Sequence, residues 1–228
     1  MRQRWSRLLF AHWPVPVAEV QAKLPAGLEV DVFDGWAWLG VVPFTMEQVR
    51  FRGVGMRTFR VPTAHAFPEL NLRTYVVAPD GRAGVYFFSL DAGSLLAVVG
   101  ARLGFGLPYF WSSMRESTSP DGVVSYQSTR RFVRPAEFVA RYRSTGKEAA
   151  QDDLRRFLTE RYALFVRRSG SVQAGYISHA PWSLMEAEAE IVVNTLPQSF
   201  GFALPDRAPV LHYSNVLDME AWTLRRVS

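Results

Sequence analysis

The sequence predicts one β-rich α+β domain in which an antiparallel barrel or cone encloses a pocket and a few helices pack outside. Along the 228 residues, apolar and polar side chains alternate with period 2 more often than they follow helical spacing. Turn sequences that contain glycine separate the alternating segments. No Gly/Ser linker, shift in composition or internal repeat divides the chain, so the predicted domain covers residues 1–228.

The strands are predicted from alternating segments that lie beside tight turns. Asp34-Gly35 is the strongest hairpin signal and separates two alternating apolar segments. Met185 to Val193 alternates apolar residues with three glutamates, which indicates a half-buried strand. The other predicted strands are Leu70 to Val77 and Val85 to Leu90 around Pro79-Asp80-Gly81, Val123 to Phe132, Tyr162 to Arg168 and Val172 to His179 around Ser169-Gly170, and Val210 to Leu217.

Three short helices are predicted. Pro16 to Leu24 has a proline near its first turn and is followed by Pro25, which stops a helix. Asp152 to Tyr162 combines apolar residues at helical spacing with acidic residues in its first turn. Leu95 to Leu103 is mostly apolar, and we predict that it forms a short buried helix.

The composition excludes several kinds of chemistry. The chain has no cysteine, which excludes disulfides, thiolate metal sites and cysteine nucleophiles, and suits a reducing cytoplasm. The four histidines are scattered without a metal-binding spacing, and the sequence lacks the glycine-rich phosphate loops and the nucleophile elbow. We therefore predict no metal and no cofactor.

The charge pattern and the hydropathy argue against nucleic-acid and membrane partners. The net charge of +5 and the pI near 9.8 come from 24 Arg and only 2 Lys, so they reflect arginine usage more than a strong field. The Arg-rich segment 50–60 could bind phosphates, but one such segment is more typical of a solvated loop. No apolar run approaches the about 20 residues of a spanning helix, and Pro14 and Pro16 interrupt the N-terminal one. We predict a cytoplasmic protein.

The segment Phe67 to Val76 carries the most informative polar residues. As a strand, it places Glu69, Asn71, Arg73 and Tyr75 on one face and mostly apolar residues on the other. A carboxyl, an amide, a guanidinium and a phenol in a row could line a barrel interior and offer acid, base and anion-binding groups. They could equally keep a solvent-facing strand soluble, and the pattern alone leaves both interpretations open.

Two further residues are candidates for substrate binding. Arg130 is included because a buried Glu69 carboxylate would need a cationic partner. His179 lies at the end of a predicted strand and could hold a substrate, although a hydrogen-bonded structural histidine is also compatible with its position. The aromatic segment Phe105 to Trp111 could form a pocket wall or plug the core.

Several segments together resemble the bacterial family called domain of unknown function 2071, or YqjF-like, which has no settled activity. That family is grouped by fold with acetoacetate decarboxylase, and the resemblance implies the same β-rich fold here. The segments that carry it are Leu9 to Pro16, Leu24 to Asp31, Phe67 to Val76, Gly84 to Leu90, Leu107-Pro108-Tyr109, Leu158 to Tyr162 and His179-Ala180-Pro181-Trp182.

The more distant resemblance to the acetoacetate decarboxylases implies two site residues. Phe67-Pro68-Glu69 is similar to the strand that carries their functional carboxylate, which assigns that role to Glu69. Gly106-Leu107-Pro108-Tyr109 is similar to the loop that carries their Schiff-base lysine, with Tyr109 in the lysine position. A phenol cannot form an imine with a ketone, so lysine-dependent decarboxylation is not expected.

Two functional hypotheses follow. The first is an enzyme that acts on a small organic acid or carbonyl compound, with Glu69 as acid or base, Tyr109 as donor to an oxyanion, and Arg73 or Arg130 as anion-binding group. Enolisation, hydration, dehydration and imine-free decarboxylation are all compatible reactions. The second is a protein that binds a hydrophobic acid without converting it. The sequence leaves homo-oligomerisation open.

Overall fold

A computed structural model describes residues 1–52, 58–60, 66–99, 106–168 and 170–227. The described part is dominated by strands. They are β1 (Arg2–Val15), β2 (Glu29–Val30), β3 (Ala37–Arg52), β4 (Thr58–Arg60), β5 (Ala66–Val77), β6 (Ala83–Ala92), β7 (Tyr109–Trp111), β8 (Ser113–Thr118), β9 (Val124–Arg130), β10 (Ala136–Glu148), β11 (Ala163–Arg168), β12 (Ser171–His179), β13 (Met185–Asn194), β14 (Val210–Ala221) and β15 (Arg225–Arg226).

The strands close into a ring. Their order around it is β12, β11, β6, β5, β3, β1 and β14, and the pairing of β12 with β14 closes it. Most pairings are antiparallel, but β6 pairs in parallel with both β7 and β11. The β-rich fold with few helices is therefore confirmed, while the sheet is mixed rather than purely antiparallel.

The other strands extend the sheet away from the ring. From β14 the order continues through β13, β10 and β9 to β8, and this part folds over the outer face of β1, β3 and β5. Leu70 and Leu72 of β5 pack there against Tyr126 of β9 and Phe138 of β10 in the largest hydrophobic cluster. Because side chains alternate along β5, one face of the strand packs in this core and the other faces the ring interior.

The hairpin predicted at Asp34-Gly35 is only partly correct. Asp34 and Gly35 adopt left-handed φ values of 52° and 80°, as a tight turn of this kind requires. The flanking segments, however, pair with each other only at the single bridge between Phe33 and Trp36. β2 instead pairs with β5, and β3 lies between β1 and β5. The two other predicted hairpins correspond to the paired strands β5–β6 and β11–β12; Ser169 lies outside the described residues.

The helices are short. α1 (Val17–Gln21) and α3 (Asp153–Thr159) lie within their predicted ranges, and the Asp152 carboxylate caps α3 by accepting from the Arg155 backbone N–H at 2.7 Å. Residues 95–99 form α2. Leu95 and Leu96 are 57% and 58% exposed, whereas Val98 is buried, so the predicted burial of this helix is only partly correct over its described part. The rest of that prediction, and residues 53–57 of the Arg-rich segment, lie outside the described residues.

In the part of the chain that the structure describes, no helix is both long and apolar enough to span a membrane.

Candidate functional site

The ring encloses a cavity of about 220 Å³. Side chains from all the ring strands line it, and most of them are apolar, with Trp5, Phe44 and Trp182 among the largest. The polar residues include Glu69, Asn71, Arg73, Tyr109 and His179. Ligand pockets typically measure about 300 to 1000 Å³, so this cavity suits a small molecule.

Strand β5 brings three of the predicted site residues into the cavity. Glu69 and Asn71 are only 2% and 7% exposed, and Arg73 follows them on the same face. The intervening Leu70 and Leu72 enter the packed core behind the strand. A solvent-facing strand, the alternative that the sequence left open, is therefore not what this segment forms.

The Glu69 carboxyl group is held in a neutral hydrogen-bonded environment. The Tyr109 hydroxyl donates to Glu69 Oε2 at 3.1 Å, and the Asn71 side chain also bonds to this carboxyl. Burial raises the pKa of Glu69 to about 8, although the bonds from Tyr109 and Asn71 act in the opposite direction. At pH 7 the group is therefore mostly protonated and available as an acid.

Tyr109 enters the cavity from the beginning of β7. This short strand runs parallel to β6, with Tyr109 paired to Leu90. Burial and the proximity of Glu69 raise the pKa of the Tyr109 phenol well above 10. Tyr109 is therefore a hydrogen-bond donor, not a base, over the physiological pH range.

Arg73 is a cationic side chain of the cavity that has no carboxylate partner among the described residues. Its Nη2 donates to the Tyr75 hydroxyl at 3.3 Å and to the Leu158 carbonyl oxygen at 3.0 Å, and the guanidinium lies 5.1 Å from the centre of the Phe10 ring. Among the described residues it forms no ion pair, and its buried Nε has no hydrogen-bond partner. Such a group is suited to bind an anion.

A buried pair, His12 and Tyr75, supports Arg73. The Tyr75 hydroxyl lies 2.6 Å from His12 Nε2 and donates to the Leu158 carbonyl oxygen at 2.6 Å. Burial, followed by the charges of Arg73 and His212, lowers the pKa of His12 well below 6.5, so the ring is neutral. Gly40 leaves room for this arrangement, because a Cβ there would lie 2.9 Å from the His12 ring.

The alternation in β5 also placed Tyr75 on the face of Glu69, Asn71 and Arg73, and in the structure Tyr75 is buried beside Arg73. His12 and Arg161 were not predicted as site residues; Arg161 lines the cavity and bonds to Asp31 at 2.7 Å. For these two residues the sequence holds no comparable pattern.

His179 also reaches the cavity. Its Nδ1 donates to the Ala180 carbonyl oxygen at 2.7 Å, while its buried Nε2 has no hydrogen-bond partner among the described residues. The ring packs edge-on against Trp182 at 5.0 Å. The position of His179 is compatible both with substrate binding and with a structural role, because Nδ1 bonds to the backbone and Nε2 is available to a ligand.

The prediction for Arg130 is wrong in place and in partner. Arg130 does not line the cavity; its Nη1 donates to the Asp91 carboxylate at 2.8 Å, with both side chains 1% exposed. It lies on β9, which belongs to the outer part of the sheet, and Asp91 points to the opposite face of β6 from the cavity-lining Leu90. Glu69 needs no cationic partner because it is protonated.

Neither lysine lies at the cavity. Lys23 Nζ lies 5.1 Å from the centre of the Phe202 ring, and Lys147 is exposed near the end of β10. The described residues also hold no group of three or more His, Asp or Glu side chains that could bind a metal.

The fold is that of acetoacetate decarboxylase-like proteins. The chain is similar to the enduracididine biosynthesis enzyme MppR complexed with pyruvate, with a TM-score of 0.67 at 14% identity over 100% of this chain and 90% of MppR. For an acetoacetate decarboxylase-like enzyme from Sphingomonas wittichii RW1, the TM-score is 0.66 at 16% identity over 100% of this chain and 92% of that enzyme. For acetoacetate decarboxylase from Legionella pneumophila, the TM-score is 0.64 at 11% identity over 100% of this chain and 88% of that enzyme. These identities support the fold alone.

The family follows from the sequence comparisons. The model of family DUF2071, described as an uncharacterized conserved protein, matches residues 2–218, and the chain belongs to this family. It is also 44% identical over 230 aligned positions to the uncharacterized protein YqjF of Bacillus subtilis (strain 168), across 100% of this chain and 93% of YqjF. The resemblance seen in the sequence is confirmed.

We predict that borohydride reduction in the presence of acetoacetate leaves no covalent adduct at Lys23 or Lys147. Both lie outside the cavity, and each side chain is exposed to solvent rather than desolvated beside a bound substrate, as a Schiff-base lysine is. Peptide mass mapping of the reduced mixture measures this. A stoichiometric mass gain at either lysine would contradict the prediction and restore an imine mechanism.

Proposed function

We propose that this protein is an enzyme that converts a small organic acid or carbonyl compound in the ring cavity by acid–base chemistry without an imine. The observation that carries the proposal is the buried hydrogen bond from the Tyr109 hydroxyl to Glu69, which faces the same cavity as Arg73, a guanidinium that forms no ion pair among the described residues. A relative by fold described as complexed with pyruvate supports a small organic acid as the ligand class.

Each of the three groups has a distinct role in this proposal. The Arg73 guanidinium binds the substrate carboxylate through charge-assisted hydrogen bonds. Glu69 gives its proton to the carbonyl oxygen or to the developing carbanion and takes one back in the reverse direction. The Tyr109 hydroxyl stabilises the oxyanion, for which its high pKa is suitable because it stays a donor. Enolisation, hydration and dehydration all fit these roles.

A second candidate is a binding protein for a hydrophobic acid. The mostly apolar lining of the cavity, with Trp5, Phe44 and Trp182, favours it. In this case Arg73 would still bind the carboxylate, and Glu69 with Tyr109 would only recognise the other end of the ligand.

A thermal-shift screen of keto acids and aromatic acids, followed by turnover assays on the hits, separates the two candidates. For the enzyme, we expect Glu69→Gln to lower kcat by about 100- to 1000-fold, since general acid–base groups contribute about 10²–10⁴. Tyr109→Phe should lower it less, and the exposed Glu190→Gln is the matched control. Stabilisation of the wild type without conversion of any hit would reject the enzyme and favour the binding protein.

A further inference from the structure

We infer that the cavity takes an elongated oxo acid, whose carboxylate binds Arg73 and whose carbonyl group, about four or five bonds away, binds Glu69 and Tyr109. This inference rests on the proposed function for the role of the two ends. It excludes short 2- and 3-oxo acids as the best ligands, because they cannot reach both ends at once.

The spacing of the two ends follows from strand geometry. β5 keeps an unbroken register with β3, from Thr74 opposite Leu39 to Ala66 opposite Glu47. The register with β6 shifts between Leu72 and Arg73, but the residue left unpaired there is Phe88 of β6, so β5 itself continues as an extended strand. Glu69 and Arg73 are four residues apart, which separates their Cα atoms by about 13 Å at about 3.3 Å per residue. Side chains on a strand stand roughly perpendicular to it, so their functional groups are separated by a similar distance.

The bonds of Arg73 keep its guanidinium away from Glu69. Its Nη2 contacts the Tyr75 hydroxyl and the Leu158 carbonyl oxygen, and Tyr75 is the next residue on this face beyond Arg73. The side chain therefore leans away from Glu69 and does not shorten the distance between the two ends.

The length of the ligand follows from the distance between the functional groups of Arg73 and Glu69, after the two hydrogen-bond lengths are subtracted. Two bonds of about 2.9 Å leave about 7 Å of the 13 Å for the ligand itself. An extended backbone covers about 3.6 Å in three bonds, so 7 Å between the two ligand oxygen atoms corresponds to about six bonds. Two of these are C–O bonds, which leaves about four or five bonds between the carboxyl carbon and the carbonyl carbon. The carboxyl and carbonyl carbons of pyruvate are directly bonded, and this ligand could occupy one end only.

The middle of the cavity indicates an apolar body. Val42 and Leu90 lie opposite Asn71 on the neighbouring strands, and all three line the cavity. Trp5 and Trp182 stack at 6.1 Å on its wall. Asn71 is the polar residue between the two ends on β5, and its buried Oδ1 has no hydrogen-bond partner. Methylene groups or an aromatic ring would fill this section.

A homologous series of methyl-ketone acids tests the inference. Calorimetric titration of the wild type with pyruvate, 4-oxopentanoate, 5-oxohexanoate, 6-oxoheptanoate and 7-oxooctanoate measures affinity against length. We expect the tightest binding at 5-oxohexanoate or 6-oxoheptanoate, at least about tenfold tighter than pyruvate. Heptanoate and 2-heptanone, which each keep one end only, should bind about ten- to a hundredfold more weakly than 6-oxoheptanoate.

The variants Arg73→Met and Arg73→Lys complete the experiment. The Arg73→Met variant should bind 6-oxoheptanoate only as tightly as it binds 2-heptanone. The Arg73→Lys variant should keep part of the affinity for 6-oxoheptanoate that Arg73→Met loses. Tightest binding of pyruvate, or affinity independent of length, overturns the inference even if pyruvate is turned over. Length-dependent binding without turnover supports the inference and rejects the proposed enzyme. The wild-type series decides the matter if a variant does not fold.

Discussion

The Glu69→Gln variant is expected to be more stable than the wild type at pH 9 by about 3–5 kcal/mol, and equally stable near pH 5. Burial raises the pKa of Glu69 from 4.5 to about 8. Between these values the folded protein keeps a proton that the unfolded chain releases, so the contribution of Glu69 to stability is complete below pH 4.5 and is lost as the pH rises to 8. A glutamine keeps the shape, accepts the bond from Tyr109 and does not titrate.

Urea unfolding of both proteins at pH 5, 7 and 9 measures this difference. The exposed Glu190→Gln serves as control and should follow the wild type at every pH, because a solvated carboxylate has the same environment in both states. Parallel curves for the wild type and Glu69→Gln would show that Glu69 is ionised in the folded protein. In that case its role as an acid would also be wrong.

The local part of the site was predictable from the sequence. Period 2 is a property of any extended segment, so the alternation in β5 placed Glu69, Asn71 and Arg73 on one face without knowledge of the rest of the fold. The resemblance to the decarboxylases added Tyr109, which lies 3.1 Å from Glu69. Turn residues likewise located the β5–β6 hairpin, because left-handed turns select glycine.

The non-local part was not predictable. Alternation says which residues share a face, but not which strand will lie opposite them. Arg130 alternates as regularly as Arg73, yet β9 belongs to the outer sheet and its guanidinium binds Asp91. Arg130 was predicted to pair with Glu69 because an ionised buried carboxylate needs a cationic partner. The protonation of Glu69, however, depends on its burial, and only the closed ring produces that burial. The closing pair of strands, β12 and β14, has no signal in the local sequence.

The Arg130→Met variant is expected to lose about 3–5 kcal/mol of stability at pH 7. The Arg130 guanidinium donates to Asp91, to the Arg134 carbonyl oxygen and to Ser199, and it lies 4.4 Å from the centre of the Phe110 ring. Burial raises the pKa of Asp91 to about 6, and Arg130 limits this rise. Without Arg130, a carboxylate would stay buried with the Ser112 hydroxyl but no cationic partner.

A double-mutant cycle with Asp91→Asn isolates this pair. If the cost of Arg130→Met is the uncompensated charge of Asp91, the double variant should be more stable than Arg130→Met alone, with a coupling of about 1–3 kcal/mol in urea unfolding. Because the raised pKa of Asp91 lets the folded state keep a proton, Arg130→Met should also lose stability as the pH rises and regain it in acid. Additive effects of the two substitutions would contradict this account. Since the pair lies behind the sheet, the folded variant should bind 6-oxoheptanoate like the wild type, in contrast to Arg73→Met.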